Sequence, residues 1–264
     1  MISSATFKKW LKLLALWQHG TTDWPPTLLI ENSTLCNRKC SYCPQTHDPL
    51  PERYMSWEML DLVIHRLNES GYIGMLHWGW MGEPLMDARL PIMVKKVKDK
   101  TRFFNRQYLY TNGDFLTPEF AEFLMRQGIN RFFISTHGRD PTELRDRFAT
   151  FIPPEALRIV VMHEQEASVC NRGGAVTVNN PTPGMRTCNR DNYKICPIIA
   201  WNGDMMLCHN DYHRVHPVGN IADQSLRELW LGDYQKLRRE MEGGYFRLPI
   251  CHKCYVPEMG LTVQ

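Results

Sequence analysis

The chain has 264 residues, 43% of them apolar, with 31 Lys and Arg against 28 Asp and Glu, for a formal charge of +3. Acids and bases are interspersed, which argues against the basic stripe needed to track a nucleic acid or cling to an anionic membrane surface. This length suits one good core plus a small appendage, and nine cysteines in a chain this large are ligand candidates kept reduced in the cytoplasm rather than the staples of a secreted scaffold.

In chain order, Ala5 to Gln18 is apolar with Lys8, Lys9 and Lys12 interleaved. It is too short to span a bilayer and reads as an amphipathic helix laid over the body. From Thr27, short β-rich runs alternate with segments of helical period, the pattern of parallel strands joined by crossover helices. The predicted strands are Thr27–Glu31, Met75–Trp78, Gln107–Tyr110, Arg131–Ser135 and Leu157–Met162. Ser56 caps a helix running through Leu67, and Thr117 with Pro118 opens another that stops at Gly128, as caps and a first-turn proline dictate. The fold class is therefore α/β, a partial (β/α)6 barrel over residues 27–180. After Pro181–Gly184 the texture changes, with five of the nine cysteines and one convincing helix, Ser225–Leu231. Residues 181–264 read as a second, metal-stabilised domain with a thin core.

Cys36-Asn-Arg-Lys-Cys40-Ser-Tyr-Cys43 follows the first strand directly, at the edge where α/β barrels hold their active sites. Three thiolates can hold three irons of a 4Fe-4S cubane and leave the fourth open to a small chelating molecule. A zinc site is the plainer alternative, but zinc knuckles favour paired CxxC spacings. In the C-terminal part Cys188, Cys208, Cys251 and Cys254 can close a four-thiolate site around a second cluster or a structural zinc. There Asn202-Gly203-Asp204 marks a hairpin between Ile198–Trp201 and Met205–Leu207. Cys170 and Cys196 remain, either as buried thiols or with one of them as a hydrogen-atom donor to a substrate radical.

The CxxxCxxC spacing with aromatic Tyr42 before its last cysteine resembles the signature of the radical S-adenosylmethionine (SAM) superfamily. That resemblance implies an iron whose open site binds the amino and carboxylate groups of SAM, and a 5′-deoxyadenosyl radical that abstracts a hydrogen atom from substrate. Gly82-Glu83-Pro84 is similar to the superfamily's GGE-type motif for the methionine ammonium, and Asn112 and Ser135 follow strands whose ends meet the ribose and carboxylate of SAM in related enzymes. Asn112-Gly113 is also a plain turn signal. The C-terminal cysteines, Gly219-Asn220-Ile221 and the Ser225–Trp230 helix resemble a SPASM/twitch domain, implying a second 4Fe-4S cluster for electron transfer and a flavodoxin- or ferredoxin-type reductant.

Asn171-Arg172-Gly173-Gly174 lies between the two parts, where a guanidinium can bind substrate oxygens. This arrangement is similar to the aminocyclitol dehydrogenases of the superfamily, implying that Arg172 holds a hydroxylated small molecule, a sugar or aminocyclitol. Met81 before the Gly-Glu-Pro motif and His209-Asn210 after Cys208 depart from that pattern. The expected chemistry is oxidation of an alcohol carbon to a ketone or its epimerisation. The alternatives are modification of a ribosomal peptide and an iron-sulfur electron carrier without SAM chemistry.

Overall fold

The structure, a computed structural model, describes residues 25–102, 106–162, 171–177, 188 and 196–254. The predicted N-terminal helix, the boundary near residue 180 and Cys170 lie outside the described residues.

Five parallel strands form the barrel wall: β1 (Thr27–Ile30), β2 (Met75–Trp78), β3 (Arg106–Thr111), β4 (Ile129–Ser135) and β5 (Leu157–Val160). The sixth parallel strand is β6 (Ile198–Ile199), which pairs with β1 through Leu29↔Ile198 and Ile30↔Ile199. β6 then turns back antiparallel into β7 (Asp204–Met206), and β8 (Pro217–Asn220) adds to β7. One open sheet of order β5-β4-β3-β2-β1-β6-β7-β8 therefore joins the barrel to the cysteine-rich part.

Alternation along the strands divides two interiors. Leu28, Ile30, Leu76, Trp78, Leu109, Phe132 and Ile134 join the main core. Their neighbours Leu29, His77, Tyr108, Tyr110, Phe133 and Val160 fall in two smaller groups on the concave side. The main core is closed by α2 (Trp57–Glu69), α3 (Leu90–Lys100), α4 (Pro118–Gln127) and α5 (Pro141–Ala149), which follow a short α1 (Pro44–His47). Ser56 and Thr117 accept hydrogen bonds from the Met59 and Phe120 amides, each such cap contributing about 1 kcal/mol. Gly128 ends α4 at φ 132°, a conformation that only glycine adopts without strain.

Within this core the Trp78 indole donates to Gln107 Oε1 at 2.9 Å while Gln107 Nε2 donates to the Val94 carbonyl at 2.9 Å, all buried. Gln107→Leu leaves the indole N–H without an acceptor and will lower stability by about 1–3 kcal/mol, read as an earlier denaturant midpoint. An unchanged midpoint would show that water fills the gap.

Among the described residues the C-terminal part holds three helices where one was predicted: α6 (Leu226–Leu231), α7 (Asp233–Glu242) and α8 (Pro249–Lys253). Ser225 and Glu228 form a full capping box at the start of α6. α7 escapes a reading by composition because its DYQKLRREME sequence is dominated by charge; only Tyr234, Leu237, Arg238 and Met241 are buried, at helical spacing on one face.

Candidate active site

The loop carrying Cys36, Cys40 and Cys43 leaves β1 and is clamped to the turn after β3. Arg38 donates to both Asp114 carboxylate oxygens at 2.6 Å, Asn37 donates to Asp114 at 2.8 Å, and Asn112 Nδ2 donates to Asn37 at 2.8 Å. Arg139 adds bonds to Asp114 at 3.2 Å and to the Ser135 carbonyl at 2.8 Å, drawing in the end of β4. Burial opposes ionisation of Asp114, but the bonds from Arg38 and Asn37 outweigh it and hold its carboxyl below the ordinary range. The bidentate Arg38 contact fixes orientation as well as distance.

All three cysteines, Tyr42, Gly82, Glu83, Asn112, Ser135, Arg172 and Cys196 line one cavity of about 480 Å3. The thiols of Cys36, Cys40 and Cys43 are close enough to disfavour each other's charge, and burial, the larger effect, pushes Cys36 up to about 11. Half-buried thiols that disfavour each other's charge ionise more readily beside a bound cation, a role that iron can fill.

Gly82 is required by close packing: a Cβ there would stand 2.6 Å from the Leu35 carbonyl and 2.7 Å from that of Ser33. Glu83 is 2% exposed and accepts from Thr111 Oγ1 at 2.7 Å, the Asn112 amide at 2.7 Å and the Leu85 amide at 3.1 Å. A carboxylate has about four acceptor positions, so one is left for a cationic group in the cavity. Burial raises the Glu83 pKa against these hydrogen bonds, and a bound ammonium would favour its ionised form. Asn112 Oδ1 accepts from the Asp114 amide at 2.9 Å, so its side chain is spent on the turn and on the cysteine loop. Ser135 ends β4 at the cavity wall.

His137 is a site residue that sequence reasoning passed over. Its Nδ1 meets the Tyr42 hydroxyl and lies 3.8 Å from Cys40 Sγ, and the Tyr42 and His137 rings stack with centroids 6.1 Å apart. Burial, then the neighbouring Arg38 and Arg139, push its pKa down to about 4, so the imidazole is neutral at physiological pH. His137 at φ 46° and Arg172 at φ 50° are two of the three non-glycine residues with left-handed backbone among the described residues, and both face the cavity. Their only advance signal was position, after a strand end and before a glycine pair.

The second set of cysteines gathers beyond β7. Burial, then the neighbouring thiols of Cys254, Cys251 and Cys188, raise the Cys208 pKa. The Asn210 amide donates to Cys208 Sγ at 3.3 Å and Asn210 Nδ2 to Cys254 Sγ at 3.8 Å. Four mutually close, largely buried thiols with N–H donors aimed at two sulfurs are the donor set that an iron-sulfur cluster takes. Among the described residues no group of three or more His, Cys, Asp or Glu side chains could hold a single metal ion, and a cubane, which spreads its ligands over separate irons, does not ask for that.

Arg172–Gly174 forms a single 3-10 turn seated on α8, which carries Cys251: Asn171 Nδ2 donates to the Lys253 carbonyl at 2.6 Å, and the Ile250 side chain leaves no space for a Cβ on Gly173. Cys196 precedes β6 and is brought to the concave side of β1 by the Leu29↔Ile198 register. Burial pushes its thiol up to about 12.

Comparison with known proteins agrees with this arrangement. Residues 31–160 match the Radical SAM superfamily and residues 188–255 the SPASM iron-sulfur cluster-binding domain. An S-adenosyl-L-methionine-dependent 2-deoxy-scyllo-inosamine dehydrogenase of Niallia circulans is 24% identical, covering 85% of this chain and 90% of its own. A tungsten-containing aldehyde ferredoxin oxidoreductase cofactor-modifying protein of Pyrococcus furiosus is 23% identical over 66% of this chain and 46% of its own. In fold, the crystal structure of BtrN in complex with AdoMet and 2-DOIA superposes with a TM-score of 0.74 at 22% identity, covering 89% of this chain and 95% of that one. Native anSMEcpe with bound AdoMet and the Cp18Cys peptide gives 0.55 at 16% identity over 84% of both chains. Domains of these two kinds use SAM and 4Fe-4S clusters, and no described helix is long and apolar enough to cross a membrane. The chain belongs to the radical SAM superfamily, with a SPASM iron-sulfur cluster-binding domain following its partial barrel.

Proposed function

We propose that this chain oxidises an alcohol carbon of a sugar, aminocyclitol or similar hydroxylated metabolite to a ketone. The observation that carries the reading is Arg172, which faces the cavity of the first three cysteines while its turn sits on the helix of the second cysteine set. The extent of the likeness to the Niallia circulans dehydrogenase supports it. Cys36, Cys40 and Cys43 would hold the first cluster, and Cys188, Cys208, Cys251 and Cys254 the second. When bound, the first cluster and SAM supply a 5′-deoxyadenosyl radical that takes one hydrogen atom, and the second cluster supplies an acceptor for the electron that must follow.

The chain's own residues place the reacting groups. Glu83, with one acceptor position left, takes the methionine ammonium, and Gly82, having no side chain, lets the loop after β2 pack against Ser33 and Leu35 at the start of the cysteine loop. Tyr42, tied to His137, and Ser135 wall the SAM side of the cavity; Asn112 acts there through the turn that it holds. The Arg172 guanidinium offers a planar fork of donors to two substrate oxygens. With the carbon held, loss of a hydrogen atom, then of one electron and the hydroxyl proton, gives the C=O bond. A flavodoxin- or ferredoxin-type protein provides the electron that starts each turnover, and a reducing cytoplasm suits the thiolate ligands.

One observation favours a second reading. Cys196 lines the cavity and stays protonated at neutral pH, so its S–H could return a hydrogen atom to the opposite face of the carbon. That would make the chain an epimerase, with the thiol regenerated by an electron from the reductant and a proton. Product mass separates the two after incubation with candidate polyols, SAM and dithionite in deuterated water. Loss of two mass units supports the dehydrogenase, and an unchanged skeleton gaining one solvent deuterium supports the epimerase.

Arg172→Lys keeps a positive charge but loses the fork, and misplacing the reacting carbon by about 1 Å costs on the order of a hundredfold in rate. The variant will retain its iron and slow, substrate-independent SAM cleavage while substrate turnover falls by about that factor. Wild-type turnover would reduce Asn171–Gly174 to a structural loop.

A further inference from the structure

We infer that Asn210 is a positioning residue that ties Arg172 to the second cysteine set and raises the reduction potential of the cluster held there. Asn210 is 2% exposed. Its backbone amide donates to Cys208 Sγ at 3.3 Å, its Nδ2 to Cys254 Sγ at 3.8 Å, and its Oδ1 accepts from Arg172 Nη1 at 3.5 Å. The chemistry of these partners fixes which way the amide points. A guanidinium only donates and a cluster thiolate only accepts, so both demand oxygen toward Arg172 and nitrogen toward Cys254.

The same side chain thus serves two ends of one electron route. N–H donors to cysteine sulfur stabilise the more negative, reduced form of a cluster over the oxidised form, which makes it a better electron acceptor. The oxygen gives the Arg172 guanidinium a fixed partner on the cluster side, leaving its other donors for the cavity. Arg172 Nε is buried with no hydrogen-bond partner among the described residues, and the left-handed turn at φ 50° holds the side chain there. A substrate oxygen bonded to Arg172 is then joined through one amide to the cluster that receives the electron. The Arg172 half of this inference rests on the function proposed above; the sulfur half does not.

The test is a redox titration of the second cluster by electron paramagnetic resonance, on whole reconstituted enzyme, with substrate KM measured alongside. Asn210→Leu removes both side-chain contacts. Asn210→Asp keeps an oxygen for Arg172 but removes the donor to Cys254. Both should hold their iron and shift the cluster's equilibrium toward the oxidised form by roughly tenfold, about 59 mV for one electron. KM should rise several-fold in Asn210→Leu and stay near wild type in Asn210→Asp. A wild-type potential in both variants would overturn the inference, as would loss of the second cluster's iron from both, which would make Asn210 a residue of cluster assembly. Failure of the wild-type enzyme to oxidise any polyol, with the potential shift intact, would sink the functional reading and leave the tuning role standing.

Discussion

A chain with Cys36, Cys40 and Cys43 all replaced by alanine will form no 5′-deoxyadenosine from SAM and dithionite and will keep the iron of its second cluster. The three thiols sit on one loop after β1 and line the cavity, whereas Cys188, Cys208, Cys251 and Cys254 stand beyond it around Asn210. The two sets share no ligand, so iron content should fall only by the first cluster's part, and chromatography of the SAM reaction should show neither methionine nor 5′-deoxyadenosine. Continued cleavage would mean that the iron which binds SAM is held elsewhere. Loss of all the iron would mean that the two clusters assemble together.

Arg214→Ala will cost about 3–5 kcal/mol of stability, a fall in Tm on the order of 10 °C for a domain of this size. Glu31, just after β1, is fully buried, and its carboxylate pairs with Arg214 while the Trp201 amide adds a weak bond at 3.5 Å. Burial raises the Glu31 pKa and Arg214 works against that rise. Without Arg214, the carboxyl must take up a proton on folding or stand unpaired in the core. Because its folded pKa then lies further above the unfolded one, the deficit is greatest at neutral and alkaline pH and shrinks as the pH falls. Adding Glu31→Gln should restore most of the loss, the signature of a coupled pair in a double-mutant cycle. Arg214 also lies 4.7 Å from the centre of the Trp80 ring, whose indole donates to the His209 carbonyl at 3.1 Å. The variant therefore loosens a cavity wall as well as the joint between barrel and C-terminal part. Equal Tm values for Arg214→Ala and wild type would show that water reaches Glu31.

What could be read in advance was local. The strands Met75–Trp78 and Arg131–Ser135, the caps Ser56 and Thr117, the helix beginning at Ser225, the Asn202–Asp204 turn and the CxxxCxxC loop all announce themselves within a few residues, and each lies where it was expected. Longer-range relations were invisible. Cys196 reaches the cavity only because β6 pairs with β1, a register set by residues about 170 apart. The Glu31–Arg214 pair and the Arg172–Asn210 contact likewise depend on the barrel and the C-terminal part being in place. Asn112 shows a different limit: a turn signal and a ligand signal coincide in one residue, and its side chain follows the turn. α3 and α7 were missed because charged residues of both signs interrupt their apolar positions, although both bury a regular apolar face.

The most direct test uses a polyol substrate deuterated at the carbon to be oxidised, incubated anaerobically with reconstituted enzyme, SAM and dithionite, with mass measured on the 5′-deoxyadenosine formed. Transfer of one deuterium to 5′-deoxyadenosine together with a ketone product is the predicted result. Ketone formed with no deuterium in the 5′-deoxyadenosine, or no 5′-deoxyadenosine at all, would contradict the account.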